Sequence, residues 1–113
     1  MREKLARAFK NLRGKKLIAR MDFMCCQTCG WAEISKIAKK RPSAIGAVFF
    51  HRQDSRNLDG YGRVYLSYGS FKDDDEENVK IGEMICDSLK EVGLGYEWSR
   101  DPSERILVFE KGR

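Results

Sequence analysis

Lys16-Leu17-Ile18-Ala19-Arg20-Met21-Asp22-Phe23-Met24-Cys25-Cys26-Gln27-Thr28-Cys29-Gly30-Trp31 is an alternating apolar run that reaches three cysteines and then changes period. Leu17, Ala19, Met21 and Phe23 fall on one side and Ile18 on the other, which predicts a strand over 16–24. Past the cysteines, Trp31, Ile34, Ile37 and Ala38 recur at helical spacing and predict a helix over 27–40, broken at Pro42. Ala44-Ile45-Gly46-Ala47-Val48-Phe49-Phe50 is too apolar for an edge strand and reads as a central one. Strand, helix and central strand in that order predict a right-handed parallel crossover. In such a unit both strands end at one edge of the sheet, where ligand sites form. That edge would carry Cys25 and His51.

Outward from this unit, Leu5, Ala6, Phe9 and Leu12 predict a first helix over 2–13, stopped by Gly14. Asp54, Asn57, Asp59, Gly60 and Gly62 are turn formers, so residues 51–62 read as a polar loop. Val64, Leu66 and Tyr68 alternate with Tyr65 and Ser67 in a strand over 63–71. The acidic run Asp73-Asp74-Asp75-Glu76-Glu77 precedes the series Val79, Ile81, Ile85, Leu89, Val92 and reads as an exposed N-terminal cap rather than a ligand cluster. Gly93 and Gly95 end that helix, and Tyr96–Ser99 with Ile106–Glu110 form a hairpin turned at Asp101-Pro102. The expected fold is α+β, with residues 1–113 in a single domain. It has a mixed β-sheet with three helices in the order α-β-α-β-β-α-β-β.

The chemistry is concentrated in Cys25-Cys26-Gln27-Thr28-Cys29-Gly30. A helix N-terminus stabilises a thiolate through its free N–H groups and dipole. Cys26 and Cys29 stand at C-x-x-C spacing, and Cys25 or His51, with Asp54 nearby, adds a further candidate group. Cys25, Cys26, Cys29 and His51 suit a tetrahedral zinc site. Cys26, Cys29 and His51 suit thiol redox chemistry equally: an attacking thiolate, a resolving cysteine and an imidazole. The residues leave both open, beside the plainer reading of small residues closing a tight turn, with Gly30 giving the backbone reach. Cys86 falls on the apolar face of its helix and reads as a packed core thiol.

At 113 residues the chain has room for one core, and no apolar run approaches the ~20 residues of a membrane span. The start, Met1-Arg2-Glu3-Lys4, lacks a secretory core, which points to the cytoplasm, where clustered thiols stay reduced. Residues 1–41 carry 12 Lys/Arg against three acids, whereas residues 42–113 are net acidic. The competing function class is therefore a non-catalytic interaction module. Its basic first helix (Arg2, Arg7, Lys10, Arg13) would face nucleic acid or an acidic protein. No nucleic-acid motif accompanies that charge.

Two resemblances follow from these motifs. Strand, C-x-x-C, helix, then strand, strand and helix, resembles part of a thioredoxin fold. It differs in having Gln27-Thr28 between the cysteines, no tryptophan before them, no proline before the strand at 63–71, and the terminal hairpin. The segments Phe23–Ile34 (with CCQTCG), Val48–Asp54 (VFFHRQD) and Leu66–Gly69 (LSYG) resemble a family of uncharacterised bacterial domains. This covers most of residues 16–99. It implies a shared fold and a motif set of Cys, His and Asp, and brings no established activity.

Overall fold

The computed structural model describes residues 2–72 and 74–110. The described residues form four helices and five strands: α1 Arg2–Arg13, β1 Leu17–Arg20, α2 Gln27–Lys40, β2 Gly46–Phe49, α3 Arg52–Tyr61, β3 Arg63–Ser70, α4 Asp75–Glu91, β4 Leu94–Glu97 and β5 Ile106–Glu110. The strands make one mixed sheet in the order β1-β2-β3-β5-β4. β1 and β2 are parallel, with Leu17 opposite Gly46 and Arg20 opposite Phe49, and every other pairing is antiparallel. The class is α+β as expected, and the parallel crossover is present.

The sheet is covered on both faces, which explains the apolar β2. Its side chains alternate, so Val48 joins the larger core with Leu5, Phe9 and Leu12 of α1 and Ile81, Ile85 and Leu89 of α4. Ala47 and Phe49 join Ile18 and Ile34 on the opposite face, under α2. An interior strand between two helical layers buries every residue, and β2 does. Phe9 stands edge-on to Phe50 in the larger core. Each fully buried large side chain of this kind contributes about 1.5–3 kcal/mol.

Three expectations are corrected. The helix count is four, not three, because residues 51–62 are not a loop: α3 lies between β2 and β3. The order is therefore α-β-α-β-α-β-α-β-β. The helix forms with little apolar help, since Leu58 is its sole buried hydrophobic residue. Its ends supply the reason. His51 is its N-cap and accepts from the Asp54 N–H. Gly62, at φ 68°, takes the left-handed C-terminal position, where a Cβ would be strained. Along its length Ser55 donates to Asp22, and Asp59 accepts from Arg2. Of the residues read as turn formers, Asp54, Asp59 and Gly62 cap this helix or tie it to the rest of the protein.

The strand expected over 16–24 stops at Arg20. Asp22 (φ 51°) and Met24 (φ 63°) take left-handed conformations that break the alternation. Phe23 accordingly packs with Phe49 under α2 instead of beside Leu17. The acidic cap has the expected role: Asp74 accepts from the Glu76 N–H at 2.9 Å, and Asp74, Asp75 and Glu76 are exposed. Asp73 lies outside the described residues.

Candidate functional site

The cysteine turn is set by backbone continuity beyond the paired strands. Phe23 N–H donates to Phe50 O at 2.9 Å and Arg52 N–H to Met24 O at 3.0 Å, so the exits of β1 and β2 stay side by side as the chain enters α2 and α3. His51 therefore follows β2 at the edge where Cys25 follows β1. Asp22 and Met24, two non-glycine residues in the left-handed region, turn the chain sharply here. Helix α2 starts on Cys26, whose carbonyl accepts from the Gly30 N–H at 2.9 Å. Gly30 is needed for packing: a Cβ there would lie 2.4 Å from the Phe49 ring. The helix can seat its first turn against the sheet only where there is no side chain.

The sulfurs of Cys25, Cys26 and Cys29 all lie within 4.8 Å of one another. Cys25 is exposed, Cys26 and Cys29 are partly so, and none is in a disulfide. Cys26 makes no capping hydrogen bond of ordinary geometry, so the N–H groups of the first turn act on its sulfur as dipoles. The Cys29 backbone N–H, then the Cys29 thiol, hold the Cys26 thiol below its usual range. Cys29 is pushed up to about 11, chiefly as the donor to Cys26 and then to Cys25. The cluster thus ionises unevenly. Cys26 gives up its proton before Cys29, which keeps one to share with its neighbours.

His51 does not join that group. Its ring is buried and both nitrogens are engaged. Nδ1 accepts from the Asp54 N–H at 3.3 Å, and Nε2 lies 3.1 Å from Asp54 Oδ2. An accepting Nδ1 assigns the ring proton to Nε2. Arg105, from just before β5, donates to the same carboxylate oxygen at 2.9 Å and lies over the Tyr65 ring at 5.0 Å. His51, Asp54 and Arg105 form a closed polar network in which each buried group has a partner. Asp54 was a sequence candidate beside the thiols; its carboxylate instead ties α3 to the β5 side of the sheet.

A family model described as a domain of unknown function (DUF6891) matches residues 1–111. The chain belongs to the DUF6891 family. No curated protein and no solved structure matches it. Of the groups singled out in this DUF6891 chain, the three cysteines converge, whereas His51 shares their edge but is engaged with Asp54. Arg105 was missed, and no local pattern announces it: it stands 51 residues from Asp54 and meets it only because β5 pairs with β3. The pairing of His51 with Asp54 did have a signal. An acceptor at the N-cap three residues before the N–H it caps is a helix-start pattern, here with imidazole in place of a hydroxyl.

Cys86 is buried on α4 as expected, and burial pushes its thiol up to about 11, which leaves it inert. On α1, Arg2 bridges Asp22 at 2.7 Å and Asp59 at 2.9 Å, and Arg13 donates to the Ala19 carbonyl. Arg2 holds both carboxyl groups below the usual carboxylate range. Half of the basic set expected to face a partner thus makes internal contacts, while Arg7 and Lys10 are exposed. Among the described residues no helix is long and apolar enough to cross a membrane.

Proposed function

We propose that this DUF6891 domain binds a soft divalent cation, zinc foremost, through the thiolates of Cys25, Cys26 and Cys29. The observation that carries the reading is the convergence of three sulfurs within 4.8 Å on an accessible turn. Zn–S bonds of about 2.3 Å in a tetrahedron place sulfurs roughly 3.8 Å apart, so closing on the ion needs about 1 Å of side-chain movement at most. Three thiolates also exceed what a disulfide requires. Thiolate ligands select zinc and copper(I) over magnesium or calcium. With His51 held by Asp54, the fourth position stays open to water or an incoming ligand, the feature that separates working zinc sites from closed structural ones. His51 becomes the fourth ligand only by leaving Asp54.

A thiol–disulfide role is the second reading, favoured by the opposed behaviour of Cys26 and Cys29. A readily ionised thiol beside one that keeps its proton is the pairing of an attacking and a resolving cysteine. Elemental analysis of the purified protein, with alkylation measured with and without chelator, separates the two. A metal site gives about one zinc per chain and thiols that react only after chelation. A redox site gives no stoichiometric metal and one fast-reacting thiol that is lost on oxidation. The variant H51A tests the ligand set: the metal content should be unchanged.

A further inference from the structure

A second site stands on a different part of the sheet and does not depend on the thiols. β1 is an edge strand, so alternate backbone groups along its outer side have no strand partner. The carbonyls of Lys16 and Arg20 go to β2-side N–H groups, whereas Ala19 O faces outward. Two guanidiniums meet there: Arg13 Nε donates to Ala19 O at 3.1 Å and Arg20 Nη1 at 3.2 Å. Beside them is a cavity of about 160 Å³ lined by Arg13, Lys16, Arg41, Ser43 and Ala44, among others. Among the described residues none of Arg13, Lys16, Arg20 and Arg41 has a carboxylate within ion-pair distance. Lys16 also holds a left-handed backbone at φ 71°, where glycine or asparagine is more easily placed.

Two ordinary explanations fall short on magnitude. Cations near helix C-termini offset the macrodipole, and the ends of α1 and α2 both point here. Each helix end carries only about half a negative charge, roughly one in all against four cations. Charges on an edge strand also discourage pairing with another chain, but scattered lysines do that without drawing guanidiniums onto one oxygen. The crowding is unfavourable for the empty protein. Burial, followed by the charges of Arg41 and Arg13, lowers the Arg20 pKa.

We propose that Arg13, Lys16 and Arg41, which line this cavity, form a binding site for a phosphate group, with Arg20 adding its charge from the Ala19 carbonyl beside it. Guanidinium forks match the oxygens of phosphate and can hold it bidentately. The cavity is below the roughly 300 Å³ of a drug-sized ligand pocket, so it takes the anionic group and leaves the rest of any larger ligand outside.

The test is calorimetric titration of the full chain with inorganic phosphate at low ionic strength, repeated for R41Q and R20Q. Arg41 is exposed and makes no side-chain hydrogen bond within the described residues, so its replacement leaves the fold intact. Saturable binding of one phosphate is expected, weakened about tenfold or more in R41Q from losing one charge-assisted contact, and by a smaller factor in R20Q from losing a nearby charge. Without phosphate, R41Q should melt no lower than the parent chain, because it relieves like-charge crowding. Adenosine monophosphate and a short single-stranded RNA form the other arms. Tighter binding of the monophosphate points to a phosphorylated small molecule, and equal binding points to free phosphate; both support the site. No phosphate binding, or binding unchanged in R41Q and R20Q, overturns it. RNA binding that excess phosphate fails to displace also overturns it, in favour of a polynucleotide surface.

Discussion

Helices α2 and α3 begin at the same edge of the sheet, each a few residues after one of two parallel strands, and their first residues behave in opposite ways. At α3 the N-cap His51 is buried, its ring accepts the Asp54 N–H, and Asp54 is held in turn by Arg105. At α2 the N-cap Cys26 makes no capping bond and stays partly exposed beside two more thiols. One start gives its capping imidazole and its first-turn carboxylate partners within the protein. The other leaves N–H dipoles and sulfur lone pairs for something outside it. A satisfied buried network fixes architecture, and an unsatisfied accessible one is available for chemistry. Sharing an edge does not make residues one site: side-chain direction decides.

The largest effect should come from breaking the closed start. Replacing Asp54 by Ala strands His51 and Arg105, and should cost about 2–4 kcal/mol in denaturant unfolding with the thiol chemistry of the surviving folded protein unchanged. If metal content falls with it, the two helix starts are one site after all. Gly30→Ala sharpens the contrast from the other side. A Cβ there, 2.4 Å from the Phe49 ring, must push α2 away. That overpacking should cost about 1–3 kcal/mol and weaken metal binding together. Equal metal affinity in that variant would mean the helix seat does not position the thiols.

Smaller effects follow at the cysteines themselves. Cys26 is an accessible residue without a capping bond. Cys26→Ser should therefore change the stability of the metal-free protein by no more than about 0.5 kcal/mol, while lowering metal affinity sharply. Calorimetric unfolding with and without zinc checks both halves. The mildest test is kinetic. With its pKa lowered, Cys26 ionises at lower pH than an ordinary thiol, so in metal-free protein its alkylation should rise before that of Cys29 as pH increases. Cys29, at about 11, should lag well behind. Because the Cys26 thiol is the main cause of that rise, Cys26→Ser should bring Cys29 labelling down to lower pH. A Cys29 profile indifferent to residue 26 would show that the sulfurs do not share protons.

Whatever rested on the period of the apolar residues was legible along the chain. Helices α1, α2 and α4, the buried strand β2, the parallel crossover and the convergence of Cys25, Cys26 and Cys29 follow from alternation, helical spacing and three thiols within one turn. The rest came only with the packed fold. Helix α3 has a single buried hydrophobic residue, Leu58, and its hold on the protein is through Arg2, Asp22 and Arg105, residues far away in the chain. β1 lost its last residues to a turn whose left-handed backbone at Asp22 and Met24 leaves no trace in hydropathy. His51 was placed at the right edge by topology, but its direction depends on Asp54 and on Arg105, far beyond it in the chain. Periodicity is a local property and can be read along the chain; the partner of a polar side chain is a long-range one, fixed only when the sheet has closed.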